Sequence, residues 1–101
     1  MILVLTTVAK KSDSEKLAKL LIEKRLAVCI NIIKLEKSIY RWKGRIEERV
    51  EFLLIIKSTA QKYARLEAVI RKNHPYELPE IIRLKPEGGF KRYLDWVQRS
   101  C

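Results

Sequence analysis

The chain has 101 residues, of which 48% are hydrophobic, and a formal net charge of +10. This length fits one domain, residues 1–101, and the apolar content excludes a disordered chain. No apolar run approaches the about 18 residues of a membrane-spanning helix, so we expect no membrane partner. The basic residues are dispersed, which favours a solvated surface over a specific nucleic-acid interface.

Residues 1–8 predict a first strand with apolar side chains on both faces, as in strands that are covered on both sides. No basic segment precedes this strand, so we expect no signal peptide and a cytoplasmic location. Ser12 and Glu15 have the spacing of a capping box, which predicts the start of a helix that buries Leu17 and Leu21.

A second strand is predicted from Val28, with a bend or bulge at residues 34–37, and it resumes at residues 39–42. The tripeptide 43–45 predicts a hairpin turn in which Gly44 takes a positive φ. A third strand is predicted over residues 50–58.

Ser58 and Gln61 form a second capping-box pattern, which predicts the start of another helix. This helix should end before Pro75, because the residue that precedes a proline resists the α conformation. A fourth strand is predicted over residues 78–84. A final short helix is indicated by four apolar residues at helical spacing: Phe90, Tyr93, Leu94 and Val97.

The predicted order is β-α-β-β-α-β plus a C-terminal helix, which is an α+β, ferredoxin-like split βαβ fold. Both main helices then cover one face of an antiparallel sheet. The other face carries apolar residues as well, including Leu53 and Ile55. An exposed patch of that kind predicts a covering partner, and further copies of the same chain are the simplest one.

The residues offer no nucleophile with a base and an orienting group, so no catalytic residue is predicted and we expect no enzyme. The single histidine, His74, is a candidate metal ligand, and its alternative role is a helix-ending residue held by a hydrogen bond. Cys29 is a weaker candidate ligand because it lies in an apolar run. Cys101 ends the chain.

Tyr40 and Trp42 share one face of a strand, where they either pack in a core or interface or form a stacking platform. Two alternatives follow. One is an RNA-binding module, although the third strand has only Phe52 for base stacking. The other is a small enzyme with a site at subunit clefts, where Tyr40, Trp42, His74 and Tyr76 would converge.

Charged residues make up 34% of the chain, against about 25% in an average protein, while Asn and Gln number two each. This profile is typical of thermostable proteins that carry exposed ion-pair networks.

The chain resembles the CutA family of divalent-cation tolerance proteins over nearly its whole length. The resemblance rests on the segment Leu26–Ile32, the hairpin pattern Tyr40-x-Trp42-x-Gly44 and the segment His74-Pro75-Tyr76-x-x-Pro79-Glu80-Ile81. Thr6-Thr7 and Tyr93-Leu94-x-Trp96 add to it.

The resemblance implies a ferredoxin-like subunit in a tight homotrimer, with long hairpins that wrap neighbouring subunits, similar to the trimeric plan of PII-type signalling proteins. It implies no reaction, and it suggests copper or another divalent cation as the ligand. We therefore expect interface positions at Tyr40, Trp42, Leu53, Ile55, Tyr76 and Trp96.

The metal positions of the family fall at Thr6, Asn73 and His74, where family examples carry Cys and His. This chain keeps only His74, and it has Lys43 where the hairpin usually carries Glu. These departures predict weak metal binding, completed by groups from a neighbouring subunit.

Overall fold

The computed structural model describes residues 1–101 and contains six strands and three α-helices. A single 3₁₀ turn over Ala60–Lys62 precedes the second helix. The elements are β1 (Ile2–Val8), α1 (Lys11–Glu23), β2 (Cys29–Lys34), β3 (Ser38–Trp42), β4 (Arg45–Arg49), β5 (Phe52–Ser58), α2 (Tyr63–Asn73), β6 (Ile82–Leu84) and α3 (Lys91–Ser100).

Four strands form an antiparallel sheet in the order β2-β5-β1-β6, and β3 and β4 form a separate two-stranded hairpin. The central pair, β1 and β5, runs in register from Ile2 opposite Ser58 to Val8 opposite Phe52. This arrangement confirms the predicted α+β fold with an antiparallel sheet and a C-terminal helix. The hairpin is an insertion between the second and third strands of the ferredoxin-like plan.

The hydrophobic core lies between the sheet and helices α1 and α2. Leu17 and Leu21 of α1, like Leu66 and Ile70 of α2, lie four residues apart and therefore share one face of their helix. Each is buried, and burial of one such side chain contributes roughly 1.5–3 kcal/mol. The sheet residues that complete this core are Ile2, Val4, Val8, Leu54 and Ile56.

The opposite sheet face is apolar too, and in the single chain it is incompletely covered. Leu53 and Ile55 of β5 lie on this face and are partly exposed. Register places further apolar residues beside them, namely Leu3, Leu5, Ile33, Ile82 and Leu84. We call this set the open face. The sheet therefore carries apolar residues on both faces, as predicted for the first and third strands.

The hairpin β3–β4 is not paired with the main sheet, and its apolar residues Ile39 and Ile46 are 65% and 70% exposed. The chain measures 44 × 26 × 21 Å, and its radius of gyration of 14.2 Å exceeds the about 13 Å of a compact domain of this length. An isolated two-stranded hairpin is marginally stable in water. Its stability must therefore depend on contacts beyond its own strands.

Both predicted capping boxes are wrong. Helix α1 begins at Lys11, ahead of Ser12, and no side chain caps it. Ser58 belongs to β5, and its hydroxyl donates a 2.6 Å hydrogen bond to the carbonyl of Leu26 instead of capping α2. The pattern failed because a serine hydroxyl is satisfied by any nearby carbonyl, and a strand end offers one as readily as a helix start.

Two predicted strand boundaries also need correction. The strand predicted over 50–58 begins at Phe52, because Val50 and Glu51 are not part of a strand and separate β4 from β5. There the backbone N–H of Leu35 donates to the carbonyl of Glu51 at 2.8 Å. The strand predicted over 78–84 is limited to Ile82–Leu84. Pro79 has no N–H to donate to a strand partner, so the first residues of the predicted strand do not pair.

Candidate functional site

A cavity of about 660 Å³ lies between the hairpin and the segment 74–80 that follows α2. Its volume falls within the range of about 300–1,000 Å³ that is common for small-molecule sites. Its walls come from the hairpin, from Glu51 just before β5, from the end of β1 and from the segment 75–80. The residues that matter below are Thr7, Tyr40, Trp42, Glu51, Tyr76 and Glu80.

Local sequence explains how the aromatic walls are placed. Tyr40 and Trp42 are two positions apart on β3, so both side chains project from the same face of the strand. Both are half-buried, whereas Arg41 between them is exposed. On the other side, α2 ends at Asn73, and His74 is extended with φ −79° and ψ 134° ahead of Pro75. This turn carries Tyr76 to the cavity.

A buried carboxylate is hydrogen-bonded to Tyr76. The Tyr76 hydroxyl donates to Oε2 of Glu51 at 2.6 Å, and Glu51 is only 6% exposed. Burial, and then the hydrogen bond to Glu51, raise the pKa of Tyr76 to about 12, so the phenol remains a donor at neutral pH. The guanidinium of Arg49 lies over the Tyr76 ring, 5.1 Å from its centre.

His74 uses both ring nitrogens inside the chain. Its Nδ1 accepts the backbone N–H of Tyr76 at 3.1 Å, so Nε2 carries the proton and donates to the carbonyl of Thr7 at 2.9 Å. Burial lowers the pKa of His74, and the ring is therefore neutral at pH 7. These bonds describe the hydrogen-bonded, helix-ending role that the sequence allowed as the alternative to a ligand.

The other positions suggested for metal are dispersed. Thr6 is fully buried on the helix-covered face with no partner for its hydroxyl, while Thr7 lines the cavity. The side-chain amide of Asn73 donates to the carbonyl of Val69 at 2.8 Å. Cys29 lies on the edge strand β2, where the ammonium of Lys57 is 3.9 Å from its sulfur. The chain by itself brings no three His, Cys, Asp or Glu side chains together for a metal.

The predicted interface residues fall in three places. Tyr40, Trp42 and Tyr76 line the cavity. Leu53 and Ile55 lie on the open face. Trp96 lies on α3, and its ring is 5.7 Å from that of Tyr93. Their role in an interface stays a prediction.

Sequence reasoning missed several charged residues of the cavity, among them Arg49, Glu51 and Glu80. In the continuous strand predicted over residues 50–58, Glu51 would share the face of Leu53. The only sequence signal is its position directly before the apolar run 52–56. Glu80 was assigned to a strand, whereas burial, and then the charge of Glu51, raise the pKa of its carboxyl. Glu51 and Glu80 come to line one cavity only in the folded chain.

Comparison with known proteins places the chain in a family. The sequence profile of the CutA1 divalent ion tolerance protein matches residues 2–100. The chain belongs to the CutA1 family. The resemblance seen in the sequence is thereby confirmed.

The matches extend over the whole fold. The divalent-cation tolerance protein CutA of Thermus thermophilus is 40% identical over 97 residues, which is 96% of this chain and 94% of that protein. The solved Thermus structure has a TM-score of 0.94 and covers 99% of this chain and 98% of the other. The structure from Archaeoglobus fulgidus, at 35% identity, also has a TM-score of 0.94, over 99% and 98%.

A third structure, described as the PII-like protein CutA from Nostoc in its apo form, is 32% identical with a TM-score of 0.92, over 99% of this chain and 96% of the other. Its description agrees with the predicted likeness to PII-type proteins. Several other curated relatives are longer, and the chain spans about half of them, 52% in the mouse protein.

These comparisons bear on location without deciding it. The Archaeoglobus protein is described as periplasmic. None of the three helices of this chain has the length and apolar character needed to cross a membrane. The cytoplasmic location stays a prediction.

Proposed function

We propose that this chain acts as a homotrimeric, non-enzymatic protein of divalent-cation tolerance that binds copper or another divalent cation weakly. The observation that carries the proposal is the uncovered apolar open face in a chain of the CutA1 family.

The trimer is supported by three features of the single chain. The open face would leave a hydrophobic patch in water, which soluble monomers avoid. The edge strand β2 leaves one row of backbone groups without a strand partner. The hairpin, which does not pair with the main sheet, exposes Ile39 and Ile46. Neighbouring copies would cover all three features at once.

Weak metal binding is supported by the hydrogen bonds of His74. A cation that uses either ring nitrogen has to displace the bond to Thr7 or the bond from Tyr76. The net charge of +10 also opposes the approach of any cation. Further ligands would have to come from a neighbouring subunit, since one chain gathers no ligand cluster.

Calorimetric titration with copper tests this proposal. We expect weak binding by the parent protein at pH 7.5 and a clear loss in His74→Gln, whose amide can still donate to Thr7. Cys101→Ser should bind as the parent does, because it leaves His74 intact. Equal binding by His74→Gln and the parent, or no binding by the parent, would contradict the proposed site.

The nucleic-acid alternative finds no support in the sheet. Phe52, the single aromatic residue of β5, belongs with Leu54 and Ile56 to the helix-covered face and packs against the core. Base stacking on the open face would need aromatic residues that β1 and β5 do not carry there.

A further inference from the structure

Glu51 is a buried carboxylate that takes part in no salt bridge. It is only 6% exposed, yet none of the four salt bridges of the chain includes it. Tyr76 is its one side-chain hydrogen-bond partner, through Oε2. Removal of a carboxylate from water costs several kcal/mol, so buried carboxylates are generally paired with a positive group.

A second carboxylate faces the same cavity. Glu80 lines the cavity together with Glu51, and partial burial, and then the charge of Glu51, raise the pKa of its carboxyl. Two arginines, Arg41 and Arg49, also line the cavity, and neither forms a salt bridge with Glu51 or Glu80. Arg49 lies over the Tyr76 ring, within electrostatic reach of Glu51. Lys43 lies at the rim, 3.8 Å from Glu77 and 5.6 Å from the centre of the Trp42 ring. A positive group between Glu51 and Glu80 would relieve their repulsion.

The opposite wall is aromatic. Tyr40 and Trp42 present half-buried rings to the cavity from β3. Aromatic faces attract organic cations by about 0.5–2 kcal/mol, whereas they offer no ligand atoms to a divalent metal ion. Carboxylates on one wall and rings on the other therefore favour a cation with an apolar body.

We propose that this cavity binds a small organic amine in its protonated form. The ammonium group donates to the carboxylates of Glu51 and Glu80, and the apolar part packs against Tyr40 and Trp42. This binding goes beyond metal tolerance, and it uses residues other than His74.

The test compares three probes of similar shape and different charge: benzylamine, benzyl alcohol and benzoate. Titration in phosphate buffer at pH 7, followed by calorimetry and tryptophan fluorescence, should show binding of benzylamine alone. Glu51→Gln should weaken that binding at least tenfold. Glu80→Gln should weaken it less. The Glu80 residue as a whole is exposed although its carboxyl is partly buried, so this variant should fold and keeps the test valid if Glu51→Gln does not. The control is Glu87→Gln, whose exposed carboxylate does not line the cavity.

Equal affinity for benzylamine and benzyl alcohol would overturn the proposal, as would full benzylamine binding by both variants. Absence of binding by all three probes would also overturn it. Light scattering on the same samples and the copper titration above are independent readouts. Failure here therefore leaves the proposed tolerance function standing.

Discussion

Glu51 and Tyr76 connect two parts of the chain that lie 25 positions apart. Their hydrogen bond joins the start of β5 to the segment that follows α2, and so it holds one wall of the cavity to the sheet. Hydrogen bonds to a charged acceptor are stronger than neutral ones, contributing about 1.5–3 kcal/mol.

The variant Tyr76→Phe removes the only side-chain donor to this carboxylate. We expect the free energy of unfolding to fall by about 1–3 kcal/mol, because the buried charge loses its partner. Tyr93→Phe is the matched control, since the Tyr93 ring is partly exposed on α3. Urea unfolding midpoints of the three proteins measure the effect. Equal losses in both variants would show that the hydrogen bond between Tyr76 and Glu51 makes no specific contribution to the free energy of unfolding.

His74 makes stability depend on pH. Burial lowers its pKa in the folded chain below the ordinary value of 6.5, although the charges of Glu51 and Asp13 partly oppose this. The unfolded chain then binds a proton more readily. Stability is thus fully present above about pH 6.5 and declines as the pH falls below it, by at most about 1.4 kcal/mol per pH unit.

The measurement is the urea midpoint of the parent and of His74→Gln between pH 7.5 and pH 5.5. The parent should lose stability over this range, and the variant should lose markedly less. Parallel pH profiles would mean that other groups, such as the carboxylates of the cavity, account for the decline.

At the level of the elements, the hairpin turn follows directly from its sequence. Lys43 and Gly44 have φ values of 50° and 77°, and they link the paired residues Trp42 and Arg45. Positive φ at both central positions is the geometry of a type I′ turn, which suits the twist of the flanking strands. Gly44 was predicted for this reason, and the structure confirms it.

Gly44→Ala should destabilise the chain by about 1 kcal/mol, because a Cβ resists the left-handed conformation even where space is free around it. Gly88→Ala is the control, as Gly88 also has free space around it but no positive φ. Thermal unfolding of both variants checks the difference. A Gly44→Ala variant as stable as Gly88→Ala would contradict the left-handed geometry of the turn as the reason for glycine here.

Elements with a strong apolar pattern were predicted correctly from the sequence. β1 is apolar on both faces, α1, α2 and α3 show a helical apolar period, and the structure contains all four. The errors occurred where a side chain forms a hydrogen bond with a residue that is distant in the sequence. Ser58 bonds to Leu26 across the chain, and Glu51 turns inward at the start of β5. Local spacing carries no information about such partners.

The candidate site was half predictable for the same reason. Tyr40, Trp42 and Tyr76 stood out because aromatic residues flank turns there, and all three line the cavity. Glu51 and Glu80 lie on different segments, and only the folded chain brings them together. Thr6 and Thr7 lie on opposite faces of β1, so Thr6 is buried on the helix-covered face and Thr7 lines the cavity. The sequence does not show which face the helices cover.

For the molecule as a whole, the abundant charge does not form a network within one chain. The four salt bridges are separate pairs of partly or largely exposed side chains, and such pairs are worth about 0–1 kcal/mol each. Thermostability therefore stays a prediction. Covering the open face would stabilise the molecule more than these pairs do, because burial of a single leucine or isoleucine contributes roughly 1.5–3 kcal/mol.

Leu53→Asp places a charge in the middle of the open face and should dissociate the assembly. Ile22→Asp is the control, since Ile22 is an exposed apolar residue on α1, outside this face. Sedimentation velocity at low micromolar concentration compares the two variants. Dissociation by both, or by neither, would exclude the open face as the contact between copies.

Copies of this chain should cover its open face in a homotrimer, and the proposed function depends on this assembly. Light scattering coupled to gel filtration measures it directly for the parent protein at low micromolar concentration. We expect a single species of three times the 11.9 kDa chain mass. A soluble, monodisperse monomer at that concentration would contradict the homotrimer.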